Sequence, residues 1–139
     1  MGVGSNLVYI LTSPAFLVPT ILVFIVIIVI WTLKDSFHTH MQTIVFTICD
    51  IQVSFWSISH ILLYIYYGFM FPDYFIEFLI IGLGWEAFEF LMGKVKMSEL
   101  IQGCEGATCK EHYWYGQAAD PAMNCLGFLI GVLCAKIVF

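Results

Sequence analysis

Two glutamates, Glu86 and Glu89, lie three residues apart within a predominantly apolar run, residues 74–91, that is long enough to cross a bilayer. On a helix, side chains at this spacing lie on one face. Ionisable groups at such depth are costly and usually face a protein interior or a watery cavity. Two adjacent carboxylates repel each other unless a proton or a cation lies between them. The pair therefore predicts either a site for a hard cation such as Ca²⁺, which takes oxygen ligands, or a protonated pair that only joins helices.

A histidine in the preceding apolar segment is the candidate for chemistry beside this pair. The turn between the two segments is centred near residues 70–73, so His60 lies about a dozen residues before it and Glu86 about as far after it. With a rise of about 1.5 Å per residue, an antiparallel helix pair brings the two side chains within roughly one helical turn in depth. Imidazole titrates near neutrality and suits proton transfer. We therefore expect His60 beside the glutamate pair.

The last apolar segment carries a third polar group. Asp120-Pro121 is a strong helix start, an N-cap acceptor followed by proline at the first helical position. The polar and small residues that follow share one face, at i, i+4, i+7 and i+11: Asp120, Asn124, Gly127 and Gly131. Glycines let another helix approach closely, so this face is expected to press against a neighbouring helix. Taken alone, the pattern is that of a cap, an amide that joins helices and a packing surface.

The composition places all of these residues in a membrane protein. Of the 139 residues, 61% are hydrophobic and 11% charged, with a mean hydropathy of +0.94, and soluble domains of this size are not so apolar. Four apolar segments are predicted to span the membrane, at residues 15–33, 41–67, 74–91 and 120–139. The expected fold is all-α, a single-domain polytopic membrane protein with four transmembrane helices. The few lysines and the absence of arginine leave no basic face for nucleic acid.

The four predicted spans differ in polarity. The first carries no polar side chain other than threonine, so we expect it at the periphery of the bundle. The second carries Asp50, Ser54 and Ser57 at i, i+4 and i+7, a stripe that must face the bundle interior. Most of the lysines fall in the first and third loops, and the positive-inside rule then places these loops in the cytoplasm.

The loops hold further metal-type residues without the spacing of a zinc site. His38 and His40, in the first loop, are expected to be solvated. Cys104 and Cys109 precede His112 in the third loop, but a fourth ligand and the usual short spacing are missing. Free thiols and a disulfide both fit these cysteines better. In a cytoplasmic loop they would be reduced.

The combination of motifs resembles the core of the eukaryotic phosphatidylserine synthases of the base-exchange type. The resemblance covers roughly residues 55–135 and rests on these motifs: His60, Trp85-Glu86-x-x-Glu89, Trp114-Tyr115-Gly116-Gln117 and Asp120-x-x-x-Asn124-x-x-Gly127-x-x-x-Gly131. The last motif is also similar to that of the VanZ-like family of small membrane proteins, which share a histidine, an acidic helix and an Asp/Asn/Gly helix. The synthases are several times longer than this chain.

The resemblance to the synthases implies Ca²⁺-dependent exchange of a phospholipid headgroup for L-serine. By motif position it assigns Glu86, Glu89 and Asp120 to the metal, Asn124 to orienting a ligand or water there, and His60 to the role of base or nucleophile. The VanZ-like alternative implies a non-catalytic or accessory membrane protein whose polar cluster specifies helix packing. A third possibility, an ion or proton carrier, would need acids staggered through the membrane, whereas a metal site needs them to converge.

Overall fold

A computed structural model of the protein describes residues 2–32, 41, 43–48, 51–94 and 119–138. These residues form five helices and one two-stranded hairpin: α1 (Val3–Thr12), α2 (Pro14–Thr32), β1 (Ile44–Ile48), β2 (Ile51–Ser54), α3 (Phe55–Met70), α4 (Phe75–Lys94) and α5 (Ala119–Val138). The predicted all-α class is confirmed in that the described chain is mostly helical. Several predictions concern residues outside the described ranges: Asp50, His38, His40, Cys104, Cys109 and residues 114–117.

The helix predicted over residues 41–67 is wrong in its first part, which forms β1 and β2. The sequence of β1 consists of β-branched and aromatic residues, which lose side-chain freedom in a helix and favour strands. The two strands pair antiparallel in a register that sets Ile48 opposite Ile51. Ser54 ends β2 and caps α3, because its side chain accepts a hydrogen bond from the Ser57 backbone N–H at 3.4 Å. α3 therefore begins directly after its capping residue, Ser54.

Val3–Thr12, which lies outside every predicted span, forms a helix of its own. α1 ends at Thr12 and meets the start of α2 at a bend of 62°. Its Ile10 side chain is fully buried in the core. Asn6 donates a hydrogen bond from Nδ2 to Glu77 Oε1 in the first turn of α4, at 2.7 Å. α1 is thus docked against the bundle.

α3 and α5 approach each other closely at three glycines. Gly127 and Gly131 of α5 lie against α3, and a Cβ added at Gly131 would overlap the carbonyl oxygen of Ile65. Gly68 of α3 lies in the same way against the backbone of Phe128. The prediction that the spaced glycines of the last helix admit a neighbour is confirmed. This close contact brings the polar residues of α3 and α5 together.

α2 lies at the edge of the bundle, as the sequence predicts. It contacts α3 through the hydroxyl groups of Thr20 and Tyr67, 2.7 Å apart. Phe24 packs edge-on against Trp85 of α4, with ring centroids 5.4 Å apart. The outward side chains of α2 are apolar and exposed: Leu17, Val18, Ile21, Leu22, Ile25, Val26 and Ile28. Most of the described length of α2 therefore contributes no side chains to the core.

One helix of the described ranges, α5, is by itself long and apolar enough to cross a membrane. α1 and the first part of α2, Pro14–Val26, have that length and apolarity only when taken together across their bend. α4 has 20 residues, but its sequence is interrupted by three acids: Glu77, Glu86 and Glu89. The acids that interrupt α4 include those of the predicted site.

Candidate functional site

His60, Glu86 and Asp120 come from three different helices and converge. A ring nitrogen of His60 and one carboxylate oxygen from each acid all lie within 4.8 Å of one another. Two ligands of one ion, each about 2.4 Å from it, can be at most about 4.8 Å apart. Asp120 is buried, and the other two side chains are partly buried. The three groups, hereafter the His60–Glu86–Asp120 cluster, are therefore spaced to share one ion after small side-chain adjustments.

The carboxylate of Asp120 is fixed by α3. Ser57, whose side chain is fully buried, donates a hydrogen bond from Oγ to Asp120 Oδ1 at 2.7 Å. The polar stripe predicted on the second apolar segment includes this serine, but its partner was not predicted. Because a serine hydroxyl donates only one proton, the contact commits Ser57 to Asp120. The acid in the first turn of α5 is thus held against α3.

The imidazole of His60 is oriented by α5. Its Nδ1 lies 3.0 Å from Oδ1 of Asn124, which is buried. An amide oxygen can only accept a hydrogen bond, so Nδ1 carries the proton. The lone pair of the ring is then on Nε2 and is available to a proton or a cation. The resemblance assigns Asn124 to orienting a ligand or water, and in the structure its side-chain oxygen contacts His60.

Glu86 differs from the other two members because nothing described holds it. Its Oε1 atom is buried and has no hydrogen-bond partner among the described residues. Burying a carboxylate oxygen without a partner is unfavourable by several kcal/mol. A cation or a proton at this oxygen would remove that cost. The orphaned oxygen therefore indicates a place where a cation or a proton would bind.

Glu89 lies beside the cluster without being one of its converging groups. Its carboxylate lies near the Trp85 side chain and is close enough to repel Glu86 and Asp120 electrostatically. Trp85 itself packs between Phe24 and Phe88, with ring centroids 5.4 and 5.5 Å away. Of the three acids that the resemblance assigns to a metal, Glu86 and Asp120 thus converge with His60, and Glu89 does not.

Two residues of the site, Gly82 and Tyr64, were not predicted from the sequence. Gly82 of α4 faces it closely, since an added Cβ would lie 2.7 Å from the Tyr64 hydroxyl and 3.2 Å from Nδ2 of Asn124. Both missed residues follow the same-face spacing of a helix. Gly82 precedes Glu86 by four positions, and Tyr64 follows His60 by four. Extending the i, i+4 pattern from the site residues would have found them.

An apolar slot adjoins the site between α4 and α5. Its cavity volume is only about 10 Å³, and it reaches Asn124 at its polar end. The remainder of its wall is largely apolar: Phe75, Phe78, Leu79, Leu83 and Phe128. A slot of this volume has room for about one water molecule.

The converging donors fit Ca²⁺ only in part. Ca²⁺ takes six to eight oxygen ligands. The cluster offers one imidazole nitrogen and two carboxylates, and the amide oxygen of Asn124 already accepts from His60. Imidazole is a ligand typical of Zn²⁺, Fe²⁺ and related ions. The described donors thus match a cation that accepts nitrogen better than one that requires oxygen alone.

No protein-family model, curated protein or solved structure matches the chain. The resemblance to the phosphatidylserine synthases and to the VanZ-like family stays an expectation based on short motifs. Function is therefore inferred from the geometry of the His60–Glu86–Asp120 cluster and from the surface that surrounds it.

Proposed function

We propose that this protein is a multi-pass integral membrane enzyme that transfers or exchanges phospholipid headgroups with the help of a divalent cation. The observation that carries the proposal is the convergence of one imidazole and two carboxylates from three helices. The orphaned Oε1 of Glu86 supports a ligand at that place. Exchange of the headgroup for L-serine with Ca²⁺ is the form of this activity that the resemblance implies.

The distribution of apolar side chains supports a membrane location with α2, α3, α4 and α5 as the spans. Large apolar residues are exposed on the outside of each helix, for example Leu62 of α3, Ile80 of α4 and Leu129 of α5. The acids of α4 and α5 are buried or partly buried instead. A large exposed apolar surface indicates contact with lipid or with another protein. Inward acids beneath an apolar exterior are the arrangement expected of a functional site in lipid.

The proposed reaction needs no oxidant or reductant. The hydroxyl oxygen of an incoming alcohol attacks the lipid phosphorus, and a new P–O bond forms as the bond to the departing headgroup oxygen breaks. The proton of the incoming hydroxyl passes to the departing oxygen through a base. A bound divalent cation would offset the charge on the phosphate oxygens. Glu86 and Asp120 would hold that cation.

A non-catalytic role is the second candidate, and specific contacts favour it. Both described hydrogen bonds of the site, from Ser57 to Asp120 and between His60 and Asn124, join α3 to α5. Polar groups that join helices in this way can specify packing alone. Glu86 separates the two candidates, because a residue kept for packing should have a partner for its buried oxygen. The convergent cluster also lacks the stagger that a carrier path would need.

The test is headgroup exchange by purified protein in phospholipid vesicles. Isotopically labelled L-serine, ethanolamine or choline is supplied after chelation, with Ca²⁺, Mn²⁺ or Zn²⁺ added back separately. We expect label to enter the lipid only with an added cation, and Glu86→Gln to lower the rate by at least about 100-fold. Glu77→Gln is the matched control, since it changes a buried glutamate of the same helix outside the cluster.

The opposite outcome is equally clear. Wild-type protein that exchanges none of the three headgroups, and whose melting temperature does not respond to any of the cations, would exclude the proposed enzyme. The packing role would then be favoured, and Glu86→Gln should leave the fold intact because glutamine still forms hydrogen bonds between helices.

A further inference from the structure

We infer that the His60–Glu86–Asp120 cluster binds a first-row transition ion such as Zn²⁺ or Mn²⁺ in preference to Ca²⁺, with His60 as one of the ligands. The inference rests on the proposed cation dependence and names the class of cation. It departs from the resemblance in two respects, the ion itself and the role of the histidine.

The first argument is the donor set. One imidazole nitrogen and two carboxylate oxygens meet within 4.8 Å, which gives three protein ligands from three helices. Three protein ligands with a position left open for water or substrate are the pattern of catalytic zinc sites. Affinity for nitrogen-containing sites rises along the first transition row, whereas Ca²⁺ needs many oxygens.

The second argument is the support behind the ligands. Histidines that bind metals almost always donate their other ring N–H to a carboxylate or carbonyl oxygen, and the bound carboxylates are hydrogen-bonded in turn. His60 Nδ1 meets Asn124 Oδ1 at 3.0 Å, which aims the Nε2 lone pair away from that amide. Ser57 holds Asp120 at 2.7 Å. His60 and Asp120 thus each have the kind of hydrogen-bond partner that supports a metal ligand.

The third argument concerns the oxygens that Ca²⁺ would require. Within residues 51–94 and 119–138, Glu86 and Asp120 are the acids whose oxygens converge with the imidazole. Glu89 lies near these acids but outside that set. Glu86 Oε1, which is buried and without a described partner, is the donor still free to meet an ion. Two carboxylates fall well short of the six to eight oxygens of a Ca²⁺ site.

This assignment changes the division of labour in the proposed reaction. A histidine whose Nε2 binds the cation cannot take a proton from the incoming hydroxyl at the same time. Glu89, adjacent to the cluster and outside it, is then the carboxylate left to receive that proton. The imidazole would serve the reaction by holding the ion in place.

The test measures cation binding without reference to turnover. Purified protein in lipid nanodiscs is stripped of metal and titrated with Zn²⁺, Mn²⁺ and Ca²⁺ separately by calorimetry. We expect Zn²⁺ to bind at least about 100-fold more tightly than Ca²⁺. His60→Ala should weaken Zn²⁺ binding by at least about 100-fold, because even supporting residues contribute 10–100-fold. Glu89→Gln should weaken it by clearly less than His60→Ala does.

A spectroscopic measurement on the wild-type protein guards against a His60→Ala variant that does not fold. Pulsed electron paramagnetic resonance of bound Mn²⁺ should show coupling to an imidazole ¹⁴N, and the coupling should be absent in His60→Gln. Tighter binding of Ca²⁺ than of Zn²⁺, or Mn²⁺ bound without nitrogen coupling, would overturn the inference and leave the proposed function standing. Failure of all three cations to bind would overturn both.

Discussion

The imidazole of His60 and the amide of Asn124 meet across the α3–α5 interface, with Nδ1 and Oδ1 3.0 Å apart. The two residues are 64 positions apart in the chain, and each comes from a helix whose close approach depends on glycine. The contact sets the ring tautomer, since the amide oxygen can only accept. The chemistry available to Nε2 therefore depends on a residue of another helix.

The first prediction follows from this contact. Asn124→Ala should weaken cation binding and lower headgroup exchange by about 10–100-fold, because the imidazole loses the partner that orients it. Calorimetric titration and the vesicle assay measure the two effects. Asn124→Asp retains an acceptor for Nδ1–H and should recover part of the binding. Equal binding by wild type and Asn124→Ala would show that the amide does not position His60.

The second prediction concerns the helix interface. Gly131→Ala should destabilise the protein by about 1–3 kcal/mol, because the added Cβ would overlap backbone atoms of Ile65 and Phe69, which cannot move as a side chain can. Gly84→Ala is the matched control, since nothing lies within 4 Å of the position where its Cβ would be. Thermal or denaturant unfolding in detergent compares the two variants.

Gly84→Ala is expected to be neutral or slightly stabilising, because alanine has the higher helix propensity. A loss of stability shared equally by the two alanine variants would count against close packing at Gly131.

The spaced motif of the last helix was sufficient to predict its buried face. Asp120, Asn124, Gly127 and Gly131 are all buried in α5, because side chains at i, i+4, i+7 and i+11 lie on one side of any regular helix. His60 also lies close to Glu86, as predicted, because that prediction needed only the position of the turn and the helical rise. Local periodicity therefore carried most of the candidate site.

Two features were not predicted: the hairpin of β1 and β2, and the contact between Ser57 and Asp120. β1 is as apolar as a membrane helix, so hydropathy does not distinguish a strand from a helix there. The β-branched composition of β1 is the signal that favours a strand. The contact between Ser57 and Asp120 depends on the register of α3 against α5. That register is set by glycine contacts on both helices, which no single segment reveals.

The third prediction tests the membrane location. Leu129→Lys, in the middle of α5, should prevent insertion or destabilise the folded protein by about 3 kcal/mol, because lysine at the centre of a membrane helix is unfavourable by that amount. Leu129 is 51% exposed, so in a water-soluble protein the same change would be close to neutral. Membrane fractionation and unfolding in lipid measure the effect.

The matched control for this test is Ile137→Lys near the end of α5, next to Lys136. Ile137 is 85% exposed, and a lysine at a helix end can extend its amine to the interface. We expect normal insertion of this variant. If Leu129→Lys inserted and unfolded like the control, lipid would not surround the middle of α5.

The last prediction separates the two candidate functions by the response of the melting temperature to an added cation. In metal-free protein, Glu86→Gln should leave the melting temperature unchanged or raise it, because the orphaned buried oxygen becomes part of a neutral group that is easier to bury. When Zn²⁺ is added, the wild-type protein should gain stability through binding and the variant should not. Glu77→Gln should respond to Zn²⁺ as the wild type does, since its partner Asn6 lies outside the cluster. If Zn²⁺ leaves the melting temperature of the wild type unchanged as well, the result would instead assign Glu86 to helix packing.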